Sequence, residues 1–415
     1  MTLIIISDFM QDEIYLNEEV KYYDDKDKIF FFTVKGHEYS NTHINIPSYF
    51  KIGKLGIHYN SIIHRIICLI RSIFRKDMIS ELKYMVETKK LTFNSLKRLF
   101  LFSSKSELVL SNIKKVFDKN QMLKTENLIF YTYRVGFSSL ACCRLKDTFP
   151  NAKVVSRCHA QDIFEFRNKE NYLPYRSYLY NRIDEIHCIS EDGMRYLENY
   201  DELNNKTFLH RLGTKEIKLN NKINNRNFVI LTCSRIARIK RIHVIAGALT
   251  NIKDGYIKWV HYGDGDEKYL EEIKDIIKNC GQNISVDFRG FCDNDKYLNI
   301  IENEEFSVFI NVSESEGLPV SIMEAESVGM PVIATNVGGT SEAVINGENG
   351  ILLDANLTEE QLIEAILKIK FMDSNLYNTY KYNSRKIWEK KFRNSVNYKD
   401  FINHLKEIWW IIYQI

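Results

Sequence analysis

The strongest constraint on this chain is the regular alternation of short β-branched runs with helical stretches in its second half. Phe228–Ser234 reads FVILTCS, an apolar run suited to a strand buried on both faces. A helical stretch begins near His243, IKWVHYG is the next strand, and EKYLEEIKDIIKNC spaces its apolar residues for a helix. ISVDFRG, a helix around Tyr297–Asn303, FSVFINVS, a helix, PVIATN, another helix and GILLD complete the series. Strands alternating with helices of about 10–15 residues predict a parallel sheet covered on both faces. The first half repeats the signature less regularly, in LIIIS, KIFFFTV, NLIFYTYR, the helix FSSLACCRLKDTF, KVVSR and EIHCIS.

The fold class is therefore α/β, with two Rossmann-like domains. We place the N-terminal domain at 1–213, a polar, Asn-rich linker at 214–226, and the C-terminal domain at 227–390. A C-terminal helix over 391–415 is expected to pack back toward the N-terminal domain. A chain of 415 residues is long enough for two cores. Open α/β sheets bind ligands beyond the carboxyl ends of their strands, so the two domains are expected to face each other across a binding cleft.

Composition excludes several classes. A net charge of +3 is too small to argue for a nucleic-acid partner. The eight cysteines form no C-x2-C pair, and several sit in apolar runs, so buried thiols in a reducing cytoplasm are expected. MTLIIISDFM has too short an apolar run, and no basic start, for a signal peptide. No stretch reaches about 18 apolar residues, the length a membrane span needs. The expected location is cytoplasmic. Residues 60–77, NSIIHRIICLIRSIFRKD, form a basic amphipathic helix. Such a helix either buries its apolar face in the core or lies on the inner face of an anionic membrane as a peripheral contact.

The chemistry concentrates in SESEGLPVSIMEAESVGMPVIATNVGG, from Ser313 to Gly339. Two glutamates, Glu316 and Glu324, stand with seven residues between them. FSVFINVS is a strand, so Glu316 lies in the loop at its carboxyl end, and proline suits the first turn of the helix that follows. That helix start aims amide N–H groups and a partial positive charge at the loop, where a phosphate is the natural occupant. Gly317 lets a ligand approach the backbone. Glu316 and Glu324 can then reach hydroxyls on either side of the phosphates. A nucleotide-sugar offers hydroxyls on both sugar and ribose, joined by a diphosphate. Arg235, directly after the first strand of this domain, and Lys240, five residues later, supply cations for that diphosphate.

These residues resemble the retaining GT-B glycosyltransferases, specifically the large family 4 group (glycosyl transferases group 1) and its polysaccharide-biosynthesis branch. The resemblance rests on E-x7-E at Glu316 and Glu324, on GMPVIATNVGGTSE, on R-x4-K at Arg235 and Lys240, and on VHYGDGDEKYLEEI with its Gly263–Gly265 turn. It implies that Glu316 contacts the donor sugar and that Gly317, Leu318 and Pro319 line sugar and phosphates. Glu324 would hold the ribose, with Gly263 beside the donor. Arg235 and Lys240 would bind the diphosphate, and the main chain at Gly290 and Phe291 would meet the base. VVSRCHAQDIFEF resembles the family's segment with His159 near the transferred sugar and Asp162 as its positioning partner. RLGT, Arg211–Thr214, resembles the segment closing the first domain. The chain departs from the Gly-Gly loop many members carry after the first strand, reading SDFMQDEIYLNEE there.

The implied activity is transfer of a hexose or N-acetylhexosamine with retention, requiring no metal or cofactor. The donor would be a UDP-sugar or GDP-mannose, and the acceptor a glycan or lipid-linked glycan of capsule, exopolysaccharide or lipopolysaccharide. Two other readings stay open: a sugar-nucleotide epimerase on the same fold, and a non-catalytic partner subunit. D-x-D pairs at Asp25/Asp27, Asp264/Asp266 and Asp293/Asp295 fall in a charge run and in turns, where Asp is common. GDGD lacks the order of a dinucleotide fingerprint and the first strand carries none, which argues against a dehydrogenase.

Overall fold

The structure is a computed structural model that describes residues 1–8, 14–33, 47–54, 62–119, 127–219 and 228–414. Most of the loop expected after the first strand (9–13), the start of the amphipathic helix (60–61) and the linker beyond 219 lie outside these residues.

The chain divides into two compact units, residues 1–210 with 398–415, and residues 211–397. In the first, seven parallel strands pair in the order β3-β2-β1-β4-β5-β6-β7. They are β1 Thr2–Ser7, β2 Lys28–Thr33, β3 Lys51–Lys54, β4 Ile129–Thr132, β5 Lys153–Cys158, β6 Glu185–Cys188 and β7 Thr207–Leu209. Alternation along each strand divides the core between the sheet's two faces. Ile4, Ile6, Phe30, Phe32 and Phe130 pack with Leu99, Ile113 and Phe117 of the helix Phe93–Lys119 and with Leu140 of the helix Phe137–Leu145. Leu3, Ile5, Phe31, Ile129 and Tyr131 pack with Phe401, Ile402, Leu405, Ile408 and Ile412 of the last helix, Asn394–Gln414. That spacing is one apolar stripe of an α-helix, laid across the sheet. His404 on the same helix lies 2.7 Å from Glu185 at the start of β6.

One buried ion pair ties these layers together. Arg157 on β5 and Glu19 are both fully buried and meet at 2.8 Å. The guanidinium also donates to the Tyr131 hydroxyl at 3.1 Å and the His210 carbonyl at 2.9 Å, and stacks 4.3 Å from the Phe401 ring centre.

The amphipathic helix forms over Ile62–Ile73 and packs on the helix Phe93–Lys119. It turns its apolar stripe outward. Ile63, Ile66, Ile67, Ile70 and Ile73 are exposed, as is Phe74 at 82 %, while Cys68 and Ser72 are buried. Of the two alternatives, burial of the apolar face in the core is not what is seen: the side this helix buries is the small one, Cys68 and Ser72. No described helix is long and apolar enough to cross a membrane.

The second unit holds six parallel strands in the order β10-β9-β8-β11-β12-β13. They are β8 Phe228–Cys233, β9 Ile257–Tyr262, β10 Ile284–Phe288, β11 Val308–Asn311, β12 Val332–Thr335 and β13 Gly350–Leu353. Ile230, Trp259, Val308, Ile310 and Ile333 pack against the helices Ile242–Asn251 and Glu359–Lys370. Residues 211–219 are fastened to this unit: Arg211 pairs with Glu342 at 2.9 Å, and Thr214 accepts from the Trp388 indole at 2.7 Å. All eight cysteines are free thiols, and five of them are buried.

Candidate functional site

In the second sheet the strand order reverses between β8 and β11, which are hydrogen-bonded neighbours. Connections leave these two strands in opposite directions, and a crevice opens at their carboxyl ends. Arg235 and Lys240 follow β8, and Glu316 follows β11. The two loops are knitted together. Arg241, in a left-handed conformation with φ 49°, donates to the carbonyls of Val312 and Ala355 at 2.7 Å and of Ser313 at 3.2 Å. The Glu314 amide donates to the Ile239 carbonyl at 2.8 Å. Lys240 Nζ thereby lies 2.6 Å from Glu316 Oε1, which also accepts from Asn311 Nδ2 at 3.2 Å. Arg235 is exposed, with no ion-pair partner among the described residues.

The helix Val320–Ser327 starts directly after Pro319. Glu324 sits a turn inside it, only 5 % exposed, and accepts from Asn294 Nδ2 at 2.6 Å. Burial pushes its carboxyl up to about 7, against the opposing effect of Asn294. The two glutamates thus address different loops: Glu316 the one after β8, Glu324 the one after β10. Leu318 and Pro319 between them are buried. The Gly317 carbonyl accepts from the Gly339 amide at 2.7 Å. Gly338 has φ 54°, and a Cβ there would stand 2.1 Å from the Glu316 carbonyl oxygen. Only glycine lets this second loop press on the first.

Gly263 and Gly290 meet through an amide–carbonyl bond of 2.8 Å beyond the ends of β9 and β10. A Cβ on Gly263 would lie 1.9 Å from the Ser234 carbonyl oxygen. Phe291, next to Gly290, is 70 % exposed. One aspartate of each D-x-D pair has a structural task. Asp266 caps the helix Glu267–Ile277, Asp295 pairs with Lys215 at 2.5 Å, and Asp27 lies 3.3 Å from the amino terminus.

In the first unit, His159 precedes the short helix Ala160–Ile163 at the end of β5. Its amide donates to Asp162 Oδ2 at 3.0 Å, and its Nδ1 lies 3.4 Å from the same oxygen. Burial lowers the His159 pKa. Burial would raise Asp162, but His159 and the Arg134 guanidinium outweigh it and hold the carboxyl below its usual range. The first sheet also reverses, between β1 and β4, and there Asp8 accepts a hydrogen bond from Ser138. Burial pushes Asp8 up to about 7. A Cβ on Gly136 would meet its carboxylate at 2.7 Å.

Asp8, Arg241, Asn294 and Asn311 were not singled out in the sequence. Asn311 had a signal, a polar residue ending an apolar strand just before SESE. Asn294, in CDND, reads only as a turn.

Residues 213–387 match the model of the family described as glycosyl transferases group 1. That match lies within the C-terminal unit, and the chain has the GT-B fold of two Rossmann-like units. Similar solved structures span nearly the whole chain at low identity. Anabaena Alr3699/HepE in complex with UDP-glucose is 15% identical with a TM-score of 0.67, covering 98% of this chain and 100% of its own. Sucrose-phosphate synthase from Thermosynechococcus elongatus is 16% identical with a TM-score of 0.71, over 99% and 100%. The lipopolysaccharide outer core galactosyltransferase WaaB is 13% identical with a TM-score of 0.64, over 98% and 99%. No curated protein matches the chain by sequence.

Proposed function

We propose that the chain is a retaining, metal-independent glycosyltransferase. It moves a hexose or N-acetylhexosamine from a nucleotide-diphosphate sugar to a glycan or lipid-linked acceptor in cell-surface polysaccharide synthesis. The observation that carries this reading is the Lys240–Glu316 pair at the sheet reversal, with Glu324 on the helix that follows, inside a group 1 segment. The UDP-glucose bound to the HepE neighbour favours UDP as the nucleotide, with GDP the second choice.

In this reading the donor diphosphate takes Arg235, Lys240 and the start of the helix Val320–Ser327 as its counter-charges. Lys240 exchanges the Glu316 carboxylate for phosphate oxygens, and Glu316 becomes free to accept from a sugar hydroxyl. Glu324 accepts from the ribose hydroxyls, and the base lies against the main chain at Gly290 and Phe291. His159 and Asp162 serve the transferred sugar. The bond from the anomeric carbon to the phosphate oxygen breaks as the acceptor hydroxyl bonds to the same face. The hydroxyl proton passes to the departing phosphate.

Calorimetry with UDP, GDP and ADP, without added metal, tests the donor site. One nucleotide is expected to bind, with Glu324→Ala weakening it by about 100-fold, the worth of two charge-assisted hydrogen bonds. Binding of none would sink the assignment. An epimerase would instead convert the donor without any acceptor. The Glu324 carboxyl, at about 7 in the free protein, must be ionised to accept from two hydroxyls. Affinity is therefore expected to be level above pH 7 and to fall about tenfold per unit below it, a slope that Glu324→Gln removes.

The outward stripe of the helix Ile62–Ile73, with Arg71 beside it, is read as a peripheral contact with an anionic membrane. Co-sedimentation with vesicles of phosphatidylglycerol is expected to fall at least tenfold in Ile66→Asp/Ile70→Asp. Equal sedimentation of the variant would overturn it.

A further inference from the structure

A wide cavity lies in the first unit, at its own sheet reversal. It measures about 740 Å³, and Asp8, Gly136 and Arg134 line it beside the helix Phe93–Lys119. Its charge is unbalanced. Lys97, Arg98, Lys105, Arg134, Lys169 and Arg176 face three carboxylates, those of Asp8, Asp162 and Glu170. Asp162 is already engaged by His159 and Arg134. Asp8 is held toward its neutral form by burial. Glu170 accepts from Asn94 at the exposed rim.

Two guanidinium groups stand out. Arg176 is only 6 % exposed. Its Nη1 donates to the Val135 carbonyl at 3.0 Å, and its Nε is buried with no hydrogen-bond partner. Arg98 donates to the Asn168 side chain. Burial and the nearby Arg176 charge both lower the Arg98 pKa. Glu81, a buried carboxyl that feels the Arg176 charge, is nevertheless pushed up by its burial and accepts from the Tyr172 hydroxyl at 2.7 Å and the Tyr175 amide at 2.9 Å. Like charges crowd here, and a buried donor N–H goes unused. Crowded cations are costly in an empty cavity, and an anion with several acceptor oxygens relieves them.

We infer that this cavity binds the phosphate of an anionic acceptor, with Arg98 and Arg176 as its principal contacts. The inference rests on the glycosyltransferase reading and narrows its acceptor to a phosphate-bearing molecule. The phosphate could be carried by a lipid or by a soluble compound. In either case the helix starting at Phe137 adds its positive end to the same wall.

The test titrates the full chain with farnesyl diphosphate, farnesol, inorganic pyrophosphate and glucuronate, with the nucleotide selected by the donor-site calorimetry held in excess. Farnesyl diphosphate is expected to bind one to one, at least tenfold tighter than farnesol. Arg98→Gln, at a half-buried position, should weaken it about 10- to 100-fold, with Arg98→Lys intermediate and nucleotide affinity unchanged. Pyrophosphate binding as tightly as farnesyl diphosphate supports the site and assigns recognition to the phosphate alone. Farnesol binding equally well, binding indifferent to Arg98→Gln, or glucuronate bound in preference to pyrophosphate would each overturn it. Failure of the donor reading would show separately, as loss of nucleotide binding with Arg98-dependent binding intact.

Discussion

Lys240→Ala is expected to lower kcat by about 10²- to 10³-fold, with little change in melting temperature. The Lys240–Glu316 pair keeps partial solvent access, so its own contribution to folding is small, on the order of 1 kcal/mol. In the proposed reaction its contribution is larger, because negative charge grows on the departing diphosphate as the anomeric bond breaks. A cation fixed at that point stabilises the transition state more than the bound donor. Arg241 holds the loop to the Val312 and Ser313 carbonyls, so the ammonium is placed before the donor arrives. The expected signature is a fall in kcat and kcat/KM together, measured with saturating acceptor. An effect confined to KM for the donor would assign Lys240 to binding only. Adding Arg235→Ala should deepen the loss less than multiplicatively if, as proposed, the two cations serve one diphosphate.

The largest effect on stability is expected in the other unit, from Glu19→Ala. With Arg157 and Glu19 both fully buried, removing the carboxylate leaves a guanidinium without a counter-charge in a dry interior. Breaking such a pair from one side costs about 3–5 kcal/mol. The Tyr131 hydroxyl and His210 carbonyl still accept from Arg157, but neither carries charge. The first unit's unfolding transition should drop by on the order of 10 °C in a thermal melt. Replacing both partners, Glu19→Leu with Arg157→Met, should recover most of the loss, because the charge to be solvated is gone. A double variant as unstable as Glu19→Ala would point to packing on Phe401 instead.

What could be read in advance follows physical locality. The six strands of the second unit are largely continuous apolar runs because that sheet is covered on both faces, and each was visible. The Glu316–Glu324 interval was legible because a strand end, a proline and a helix start fall in one short stretch. In the first unit, β3 (KIGK) and β7 (TFL) are too short and too mixed to show as apolar runs. The helix Phe93–Lys119 places Ser103 and Ser106 on its buried side, which blurs the apolar period. Periodicity located the stripe of the helix Ile62–Ile73 but not its direction. That was set by Cys68 and Ser72, small enough to pack closely. Asp8 was illegible for another reason. Its burial depends on Gly136 and Ser138, far along the chain, and no local pattern encodes that meeting.

The last helix has a consequence for how the chain is made. Its Phe401, Leu405 and Ile408 close one face of a sheet whose first strand is residues 2–7. A ribosome therefore releases the final piece of the first unit only after all of the second has been synthesised. Until then, Leu3, Ile5, Phe31 and Tyr131 have no lid, and the nascent chain carries an open apolar surface through most of its translation. The order of synthesis and the order of completion are reversed. A stop codon directly after Asn397 would injure the first unit rather than the second.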